Sequence, residues 1–317
     1  MKNLKLLITG GAGFIGSHFV DLLLNDPVIE NNISHLLVFD KLTYAGNLKH
    51  LELANYSSKF EFMQGDICDK KFLQNISLDY DWIINFAAES HVDRSLTGSE
   101  VFAMSNVIGT LNLLDLSISS GIENFLQIST DEVYGSIETG SWVEESILDP
   151  RSPYSASKAS GDLFCNAYFI SHGLKTRVTR ACNNFGPRQH SEKMIPTIIR
   201  HILNDTPIPV YGNGLNVRDW LFVSDHCLGI WQVINSGKPG EVYNLGGGTQ
   251  LNNIELIRLI SEVMGKSKPK IEFVEDRKGH DFRYSIDCTK SRLELGYNPQ
   301  KNVLNGIRET VEYYKNL

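Results

Sequence analysis

Short apolar runs alternate with longer amphipathic segments along the first half of the chain. Near-continuous apolar runs are typical of strands buried on both faces, whereas the segments between them repeat apolar residues at helical spacing. This alternation predicts an α/β fold with a doubly wound, Rossmann-type parallel sheet that helices cover on both faces. The predicted strands are Leu4–Thr9, His35–Asp40, Phe60–Gln64, Asp81–Ala87, Asn124–Thr130 and Lys175–Arg180. The predicted helices are Ser17–Leu24, Phe72–Ile76, Glu100–Ser120 and Tyr154–Phe169.

The pattern changes after Asn183. Segments there are shorter and richer in glycine and proline, as in "TPIPVYGNGLNVRDW" and "NLGGGTQLNN". No linker-like stretch separates the two halves, so we predict a smaller C-terminal substrate domain that is interleaved with the first domain. The predicted division is residues 1–182 for the Rossmann domain, with some later segments returning to it, and residues 183–317 mainly for the substrate domain.

Composition and charge narrow the possible functions. The 317 residues are 42% apolar and 21% charged, as in ordinary soluble globular proteins. The formal charge of −7 provides no overall basic field for nucleic acid or an anionic membrane surface. The N-terminal apolar run is too short for a secretory signal, and no segment approaches the ~20 apolar residues of a membrane span. We therefore expect neither a nucleic-acid partner nor a membrane.

The five cysteines are scattered along the chain, and none forms a C-x-x-C pair. An odd, scattered set argues against a disulfide framework and against a zinc site. We predict reduced thiols, no metal site and a cytoplasmic location.

The stretch "ITGGAGFIGSH" follows the first predicted strand and opens the first helix. Gly10, Gly13 and Gly16 recur at three-residue spacing, which lets a backbone turn tightly against a pyrophosphate at a helix N-terminus. Asp40 ends the next strand, where a carboxylate accepts from ribose hydroxyls and repels the 2′-phosphate of NADP. The pattern predicts bound NAD, and a purely structural strand-to-helix turn is the alternative. Asp66, after the third strand, is either a turn residue or faces the adenine.

Tyr154 and Lys158 lie four residues apart in "YSASK" and therefore share one face of a helix. A phenol with a pKa of ~10 is a poor base at neutral pH, but a neighbouring ammonium and the positive nicotinamide ring both favour the phenolate. Tyr154 can then take the proton of a sugar hydroxyl while hydride leaves for NAD, and Lys158 can hold the nicotinamide ribose. Such a pair alone is common in helices, but the glycine loop upstream and Thr130 at a strand end favour catalysis.

Two acids stand side by side in "ISTDEVYG". Asp131 and Glu132 would point to opposite faces of the sheet if the strand continued, so the strand must end near Thr130. One interpretation is structural, because Thr130 can cap a short helical turn whose positive end the two acids favour. The other is chemical, because two close carboxylates separate their pKa values and leave one protonated and one ionised. The two interpretations are compatible.

Longer motifs add a resemblance to known families. The glycine loop with Tyr154-x-x-x-Lys158 resembles the extended short-chain dehydrogenase/reductases. Between about residues 5 and 300 the chain resembles the dTDP-glucose 4,6-dehydratase family, in "KLTYAGN", "GDICD", "AAESHVDRS", "STDEVYG", "YSASKA", "NNFGPRQHSEKMIP", "VRDWLFVSDH" and "DRKGHD". The resemblance implies a Rossmann domain with bound NAD, a smaller nucleotide-sugar domain and a homodimer built on a four-helix bundle. It also implies conversion of dTDP-glucose to dTDP-4-keto-6-deoxyglucose and water.

The resemblance also implies roles for individual residues. Thr130 and Tyr154 would act at the sugar 4-hydroxyl beside Lys158, with Asp131 as the acid and Glu132 as the base. The implied cofactor positions are Gly10, Gly13, Phe14, Ile15, Gly16, Asp40, Lys41, Asp66, Ile67, Ala87, Tyr154, Lys158 and Asn184. The implied substrate positions are Ser90, Thr130, Asn183, Lys193, Pro209, Tyr211, Arg218, Asn253, Arg277 and His280.

Related functions share part of this set. A UDP-glucose 4,6-dehydratase would carry the same two acids. A nucleotide-sugar epimerase or decarboxylase would share the glycine loop, Thr130, Tyr154 and Lys158, but epimerisation at C4 needs no acid and base for C5 and C6. A catalytically silent NAD-binding scaffold would be expected to have lost one of Tyr154, Lys158, Asp131 or Glu132, and all four are present.

Overall fold

The secondary structure alternates strands and helices through the first two thirds of the chain. The computed structural model describes residues 3–76, 79–266 and 268–317. Its strands are β1 (Leu4–Thr9), β2 (Ile33–Asp40), β3 (Phe60–Gln64), β4 (Trp82–Asn85), β5 (Asn124–Thr130), β6 (Lys175–Ala181), β7 (Asn183–Phe185), β8 (Ile208–Tyr211), β9 (Val217–Phe222), β10 (Val242–Leu245), β11 (Gln250–Asn252) and β12 (Ile271–Val274). Its α-helices are α1 (Phe14–Asn25), α2 (Pro27–Glu30), α3 (Lys70–Leu73), α4 (Val92–Thr97), α5 (Glu100–Phe102), α6 (Thr110–Ser120), α7 (Pro153–His172), α8 (Met194–Leu203), α9 (Val223–Ser236), α10 (Asn253–Val263), α11 (Thr289–Leu295) and α12 (Val303–Lys315). Single turns of 3₁₀ helix lie at Leu48–Leu51, Ala54–Tyr56 and Asp131–Tyr134, and a π-helical segment at Ala103–Gly109 joins α5 to α6.

A seven-stranded parallel sheet in the order β10-β6-β5-β4-β1-β2-β3 forms the centre of the fold. From β1 the chain winds outward through β2 and β3, then returns to the other side of β1 and winds outward through β4, β5 and β6. The reversal between β1 and β4 is the switch point at which doubly wound sheets bind ligands. The predicted fold class is therefore confirmed.

Side chains alternate between the two faces of the sheet and fill two hydrophobic cores. Leu6 and Ile8 of β1 pack on one face with Phe19 of α1 and Ile230 of α9. Leu7, between them, points to the other face and packs with residues of α6 and α7. This period of two explains why both faces need apolar residues and why the strands form continuous apolar runs.

Residues after Asn183 contribute to both parts of the fold. Strand β10 pairs with β6 at the edge of the main sheet, with Val242 opposite Val178. The remaining strands form a three-stranded sheet in the order β11-β9-β7 and a two-stranded sheet of β12 and β8. These small sheets pack with α8, α10 and α12 around a third core that includes Phe185, Trp220 and Ile257.

One long helix is apolar along most of its length. Glu100–Ser120 is long and apolar enough for a membrane span by length and composition alone, a criterion that the core helix of a soluble protein also meets. The expectation that no segment approaches the length of a span was therefore wrong for this helix. Its buried side is explained by packing, because Leu113 and Leu114 lie in the core beneath the main sheet.

The predicted elements differ from the observed ones mainly at their ends. Helix α3 was predicted over Phe72–Ile76 and is observed over Lys70–Leu73, so that it begins two residues and ends three residues earlier. The reason is a cap, because the Asp69 carboxylate accepts a hydrogen bond from the Phe72 amide and begins the helix at residue 70.

Candidate active site

A cleft of about 540 Å³ opens at the carboxyl ends of the central strands. It is bounded by the glycine loop after β1 and by the ends of β2, β4 and β5, with the start of α7 on one side. The cleft brings together most of the residues that the sequence predicted. They are Gly10, Gly13, Phe14, Ile15, Gly16, Asp40, Lys41, Asp66, Ile67, Ala87, Ser90, Thr130, Asp131, Glu132, Tyr154, Lys158, Asn183, Asn184 and Lys193.

The glycine loop forms a tight cradle at the start of α1. Gly10 has a φ of +71°, and a Cβ there would lie 2.5 Å from the Ala87 amide nitrogen. A Cβ at Gly16 would lie 2.4 Å from the Gly10 carbonyl oxygen. Gly13 is the N-cap of α1 and supplies no side chain to its first N–H groups. Free N–H groups at the end of a twelve-residue helix, beside backbone without side chains, fit a dinucleotide pyrophosphate.

Two acids mark the ends of the next two strands. The Asp40 carboxylate accepts from the Ala12 amide at 3.0 Å and from the Leu42 amide at 2.7 Å. Burial raises the pKa of Asp40, while these two hydrogen bonds oppose the rise. Asp66 accepts from the Cys68 amide at 2.9 Å and forms an ion pair with Lys41 at 2.7 Å.

Strand β5 ends at Thr130, and the chain then turns through the 3₁₀ helix Asp131–Tyr134. The Thr130 hydroxyl is the N-cap and accepts a hydrogen bond from the Glu132 amide at 3.3 Å. Because the turn replaces the alternation of a strand, both acids line the same cleft. The predicted strand end and the predicted cap are both present in the structure.

The two adjacent acids have different electrostatic surroundings. Burial raises the pKa of Asp131 well above its usual range, and the carboxylates of Glu132 and Asp219 add to the rise. Burial also raises the pKa of Glu132, but three cations oppose it, namely Lys193, Arg218 and Arg277. Asp131 is therefore the acid that holds a proton more readily, and Glu132 is the one that the site favours as an ion.

Tyr154 and Lys158 lie in the first turns of α7, which begins at Pro153 with a capping box between Ser152 and Ser155. Burial raises the pKa of Tyr154 far above its usual value, the charge of Glu132 adds to the rise, and a hydrogen bond with Thr130 opposes it. The Lys158 ammonium donates to the Ile128 carbonyl at 2.5 Å. Burial lowers the pKa of Lys158 to about 8.

The other predicted substrate residues lie outside the lining of the cleft. Arg277 forms an ion pair with Asp93 at 2.5 Å, and its guanidinium lies over the Tyr211 ring at 5.1 Å. Arg218 donates to the Asp281 carbonyl at 2.9 Å. Arg218 and Arg277 belong to a second polar group, and their charges act to lower the pKa of Glu132. The predicted substrate residues outside the cleft lining are Pro209, Tyr211, Arg218, Asn253, Arg277 and His280.

Comparison with known proteins agrees with this geometry. A family model described as GDP-mannose 4,6 dehydratase matches residues 7–310. A dTDP-glucose 4,6-dehydratase from Actinoplanes sp. is 49% identical over 98% of both chains, and the low-salt glycan biosynthesis protein Agl12 from Haloferax volcanii is 48% identical over the same share. The solved structure of DesIV, a dTDP-glucose 4,6-dehydratase from Streptomyces venezuelae with NAD and TYD bound, superposes with a TM-score of 0.96. It is 46% identical and is covered to 97%, with 99% of this chain matched.

The chain belongs to the dTDP-glucose 4,6-dehydratase family. The resemblance predicted from the motifs is thereby confirmed. No group of three or more His, Cys, Asp or Glu side chains able to hold a metal ion is found within residues 3–76, 79–266 and 268–317.

Several residues of this dTDP-glucose 4,6-dehydratase family member line the cleft without having been predicted. Tyr44 holds the loop after β2 across the cleft, since its hydroxyl donates to Glu89 at 3.1 Å and its ring lies 4.0 Å from the Arg94 guanidinium. Tyr44 stands inside the motif "KLTYAGN", so the sequence carried a signal for it. Tyr313 and Tyr314 in the last helix also line the cleft, and no local pattern pointed to them.

Proposed function

We propose that this protein is a dTDP-glucose 4,6-dehydratase, which converts dTDP-glucose to dTDP-4-keto-6-deoxyglucose and water. The observation that carries the proposal is the placement of Asp131 and Glu132, two adjacent acids of unequal pKa, in one cleft with Tyr154 and the glycine loop. An oxidation at C4 alone would need only Tyr154 and the cofactor held by the glycine loop. Elimination of water additionally needs an acid and a base.

The cofactor that fits the glycine loop is NAD, which when bound would supply a reversible acceptor for the hydride of C4. The residues that would hold it are those of the glycine loop, with Asp40 toward a ribose and Asp66 toward the adenine end. Tyr154 takes the proton of the C4 hydroxyl as the C4–H bond breaks, and Thr130 hydrogen-bonds the same hydroxyl. Burial raises the pKa of Tyr154 and opposes the phenolate that this step needs. The Lys158 ammonium and the positive nicotinamide ring would favour that phenolate when the cofactor is bound.

Oxidation at C4 prepares the elimination, because it makes the C5 proton α to a ketone. Glu132 removes that proton, and Asp131 gives its own proton to the departing C6 hydroxyl, which leaves as water. General acid–base catalysis of this kind is typically worth about 10²–10⁴-fold for each group. When hydride adds to C6, the protonated Glu132 returns a proton to C5. Tyr154 then holds the proton of the C4 hydroxyl and Asp131 lacks one. Release of a proton from Tyr154 to solvent and uptake of one by Asp131 restore the site, so that the net reaction is loss of one water.

The nucleotide end of the substrate would lie on the second polar group. We assign Arg218 and Arg277 to the diphosphate, because the paired donors of a guanidinium match phosphate oxygens. Ser90, Asn183 and Lys193 are assigned to the sugar side of the cleft. The remaining assigned substrate positions are Asn253, Pro209, Tyr211 and His280. The domain division at residues 182 and 183 follows the same split between cofactor and nucleotide sugar.

We further propose a homodimer and a cytoplasmic location. Val101, Met104 and Ile108 form an exposed apolar stripe on the long helix, with 54%, 44% and 39% of each residue exposed. Leu163 and Ile170 form a second stripe on α7, with 60% and 74% exposed. Two such helices from each of two copies would make a four-helix bundle. A measured solution mass equal to the single-chain mass of 35.6 kDa would rule out the dimer.

The cytoplasmic assignment rests on the free cysteines, and recovery of the protein with the secreted fraction would contradict it.

One experiment separates this proposal from its closest alternatives. The protein is incubated with dTDP-glucose and, in parallel, with UDP-glucose, and each product is examined by mass spectrometry. We expect loss of one water from dTDP-glucose. Loss of water from UDP-glucose alone would favour the UDP-glucose dehydratase, and an unchanged mass with inversion at C4 would favour an epimerase.

A further inference from the structure

Asp162 is a buried acid that the proposed mechanism does not use. It lies on α7 four residues after Lys158 and therefore on the same face of the helix. Its Oδ2 atom accepts a hydrogen bond from the Arg180 Nε at 2.9 Å, and the side chains of Asp162 and Arg180 are 2% and 6% exposed. A strand of the main sheet, β6, thus presents its arginine to the helix that carries the catalytic pair.

The Asp162 carboxylate keeps one oxygen available. Its Oδ1 atom is buried and has no partner of good hydrogen-bond geometry among the described residues, although the Ser129 hydroxyl lies near enough to favour the ionised carboxylate. A buried carboxylate with an unused acceptor is costly, so a fold that retains one has a compensating interaction. Arg180 supplies part of it, and it is itself fixed by the Tyr134 hydroxyl, to which its Nη1 donates at 2.8 Å.

The charged neighbours of Lys158 are few. On α7 itself, Asp162 favours the ammonium, and the Cys165 thiol, whose pKa burial raises, stays neutral. The 3₁₀ turn after β5 brings Asp131 and Glu132 toward Tyr154. Strand β5 itself presents the Ile128 carbonyl. Glu100 on α5, which also packs against α7, is exposed. The remaining charged residues on elements packed against α7 have partners of their own, namely Asp93, Arg94, Asp115, Lys175 and Arg177 on α4, α6 and β6.

We propose that Asp162 is a positioning residue whose carboxylate keeps the buried Lys158 ammonium charged, while Arg180 holds that carboxylate in place. The proposal rests on the proposed function, because a charged Lys158 matters through the Tyr154 phenolate. Burial alone drives Lys158 toward the neutral amine, which would stabilise no phenolate. The negative charge one helical turn away opposes that tendency. Burial raises the pKa of Asp162 itself, and the ion pair with Arg180 opposes the rise and so favours the ionised carboxylate.

The test measures the titration of Lys158 directly in the NAD-loaded protein. Lysines are labelled with ¹³C at the ε-carbon, and Lys158 is assigned by loss of its resonance in Lys158→Met. We expect Asp162→Asn to lower the pH midpoint of Lys158 by about one unit, at the low end of the effect of a nearby opposite charge. The basic limb of the pH profile of kcat should move down by the same amount.

Asp162→Asn alone leaves the Arg180 guanidinium buried and unpaired, which could prevent folding, so a second variant is needed. Asp162→Asn combined with Arg180→Gln replaces the ion pair by neutral groups, an exchange that proteins often tolerate. It should fold and show the same lowered midpoint of Lys158. Asp205→Asn, which removes a surface acid paired with Lys270, is the matched control and should leave the midpoint unchanged.

An unchanged Lys158 midpoint in both Asp162 variants would overturn the proposal, because a purely structural Asp162 lowers stability without moving a titration. A lowered midpoint in a protein that turns over neither dTDP-glucose nor UDP-glucose would support the role of Asp162 and contradict the proposed function instead. The two proposals can therefore fail separately.

Discussion

Asp131 and Glu132 are neighbours in the chain, yet their surroundings favour different protonation states. Asp131 is enclosed beside two other carboxylates, and one of its oxygens is buried without a hydrogen-bond partner among the described residues. Glu132 faces three cations, although it is buried as well. In a site that needs a proton donor and a proton acceptor at one pH, this difference supports the proposed roles of Asp131 as donor and Glu132 as acceptor.

The same difference predicts an opposite effect of Asp131→Asn on activity and on stability. The folded-state pKa of Asp131 is raised, so its contribution to stability is present below the unfolded pKa of about 3.9 and is lost as pH rises. At pH 7 the wild-type carboxyl therefore costs stability, and Asn removes that cost. We expect a higher melting temperature than wild type at pH 7, a smaller gain at pH 5, and dehydration slowed about 10²–10⁴-fold.

Thermal unfolding at the two pH values and steady-state kinetics check this prediction. A variant that melts below wild type at pH 7, or that dehydrates at the full rate, would contradict the assignment of Asp131 as the buried acid.

At the residue scale the sequence predicted the reacting side chains but not their support. Tyr154, Lys158, Asp131 and Glu132 stand in short motifs, and the family resemblance implied their proposed roles. Asp162 is four residues from Lys158, but its proposed positioning role depends on Arg180. Only the tertiary fold, in which β6 pairs with β5, brings Arg180 beside Asp162. Contacts of this kind follow from topology and are not visible in a local pattern.

At the scale of elements, the glycine loop is the most constrained backbone of the cofactor side. A Cβ at Gly16 would meet the Gly10 carbonyl at 2.4 Å and the Gly11 Cα at 2.8 Å, both of them backbone atoms that cannot move aside. We expect Gly16→Ala to displace the start of α1 and to purify with much less NAD than wild type. The cofactor content is measured by absorbance after the protein is denatured.

Gly98→Ala is the matched control for this substitution. Its Cβ would have the Arg94 carbonyl at 3.9 Å as its nearest contact, which is ordinary van der Waals distance. It should retain NAD like wild type. Full NAD content in Gly16→Ala protein would show that the loop does not hold the pyrophosphate.

The elements that the sequence predicted well are those whose pattern is local. β1, β3 and β5 have the predicted bounds, because apolar runs between polar ends specify buried strands. The π-helical segment Ala103–Gly109 was not predicted, because its hydrogen-bond pattern does not produce a recognisable spacing of apolar residues in the sequence. Helix ends shifted where a cap residue such as Asp69 decided the first turn.

At the scale of the whole molecule, the cleft needs both parts of the chain. Asp131, Tyr154 and the glycine loop come from the first part of the chain, whereas Lys193 in the cleft lining comes from the later segments. Arg218 and Arg277, also from the later segments, lie outside the lining and act to lower the pKa of Glu132. The sequence indicated that the second part is interleaved with the first, but it did not show that Arg277 pairs with Asp93 of α4. That contact joins residues 184 positions apart and belongs to the tertiary fold.

The two proposed half-reactions use different side chains of the cleft. In the proposed mechanism, oxidation at C4 depends on NAD, Tyr154 and Lys158, whereas elimination depends on Asp131 and Glu132. Loss of Glu132 should therefore stop the cycle after its first half. Gln is nearly isosteric with Glu, and the Glu132 amide still donates to the Thr130 cap, so the fold should survive the substitution.

The most direct test is a single turnover of stable Glu132→Gln protein with dTDP-glucose, followed by near-ultraviolet absorbance and by the mass of the released sugar. We predict that the bound NAD is reduced, that no water is lost and that solvent deuterium no longer exchanges into C5. Tyr154→Phe, run beside it, should show neither reduction nor product. Dehydration at the full rate by folded Glu132→Gln protein would contradict the account.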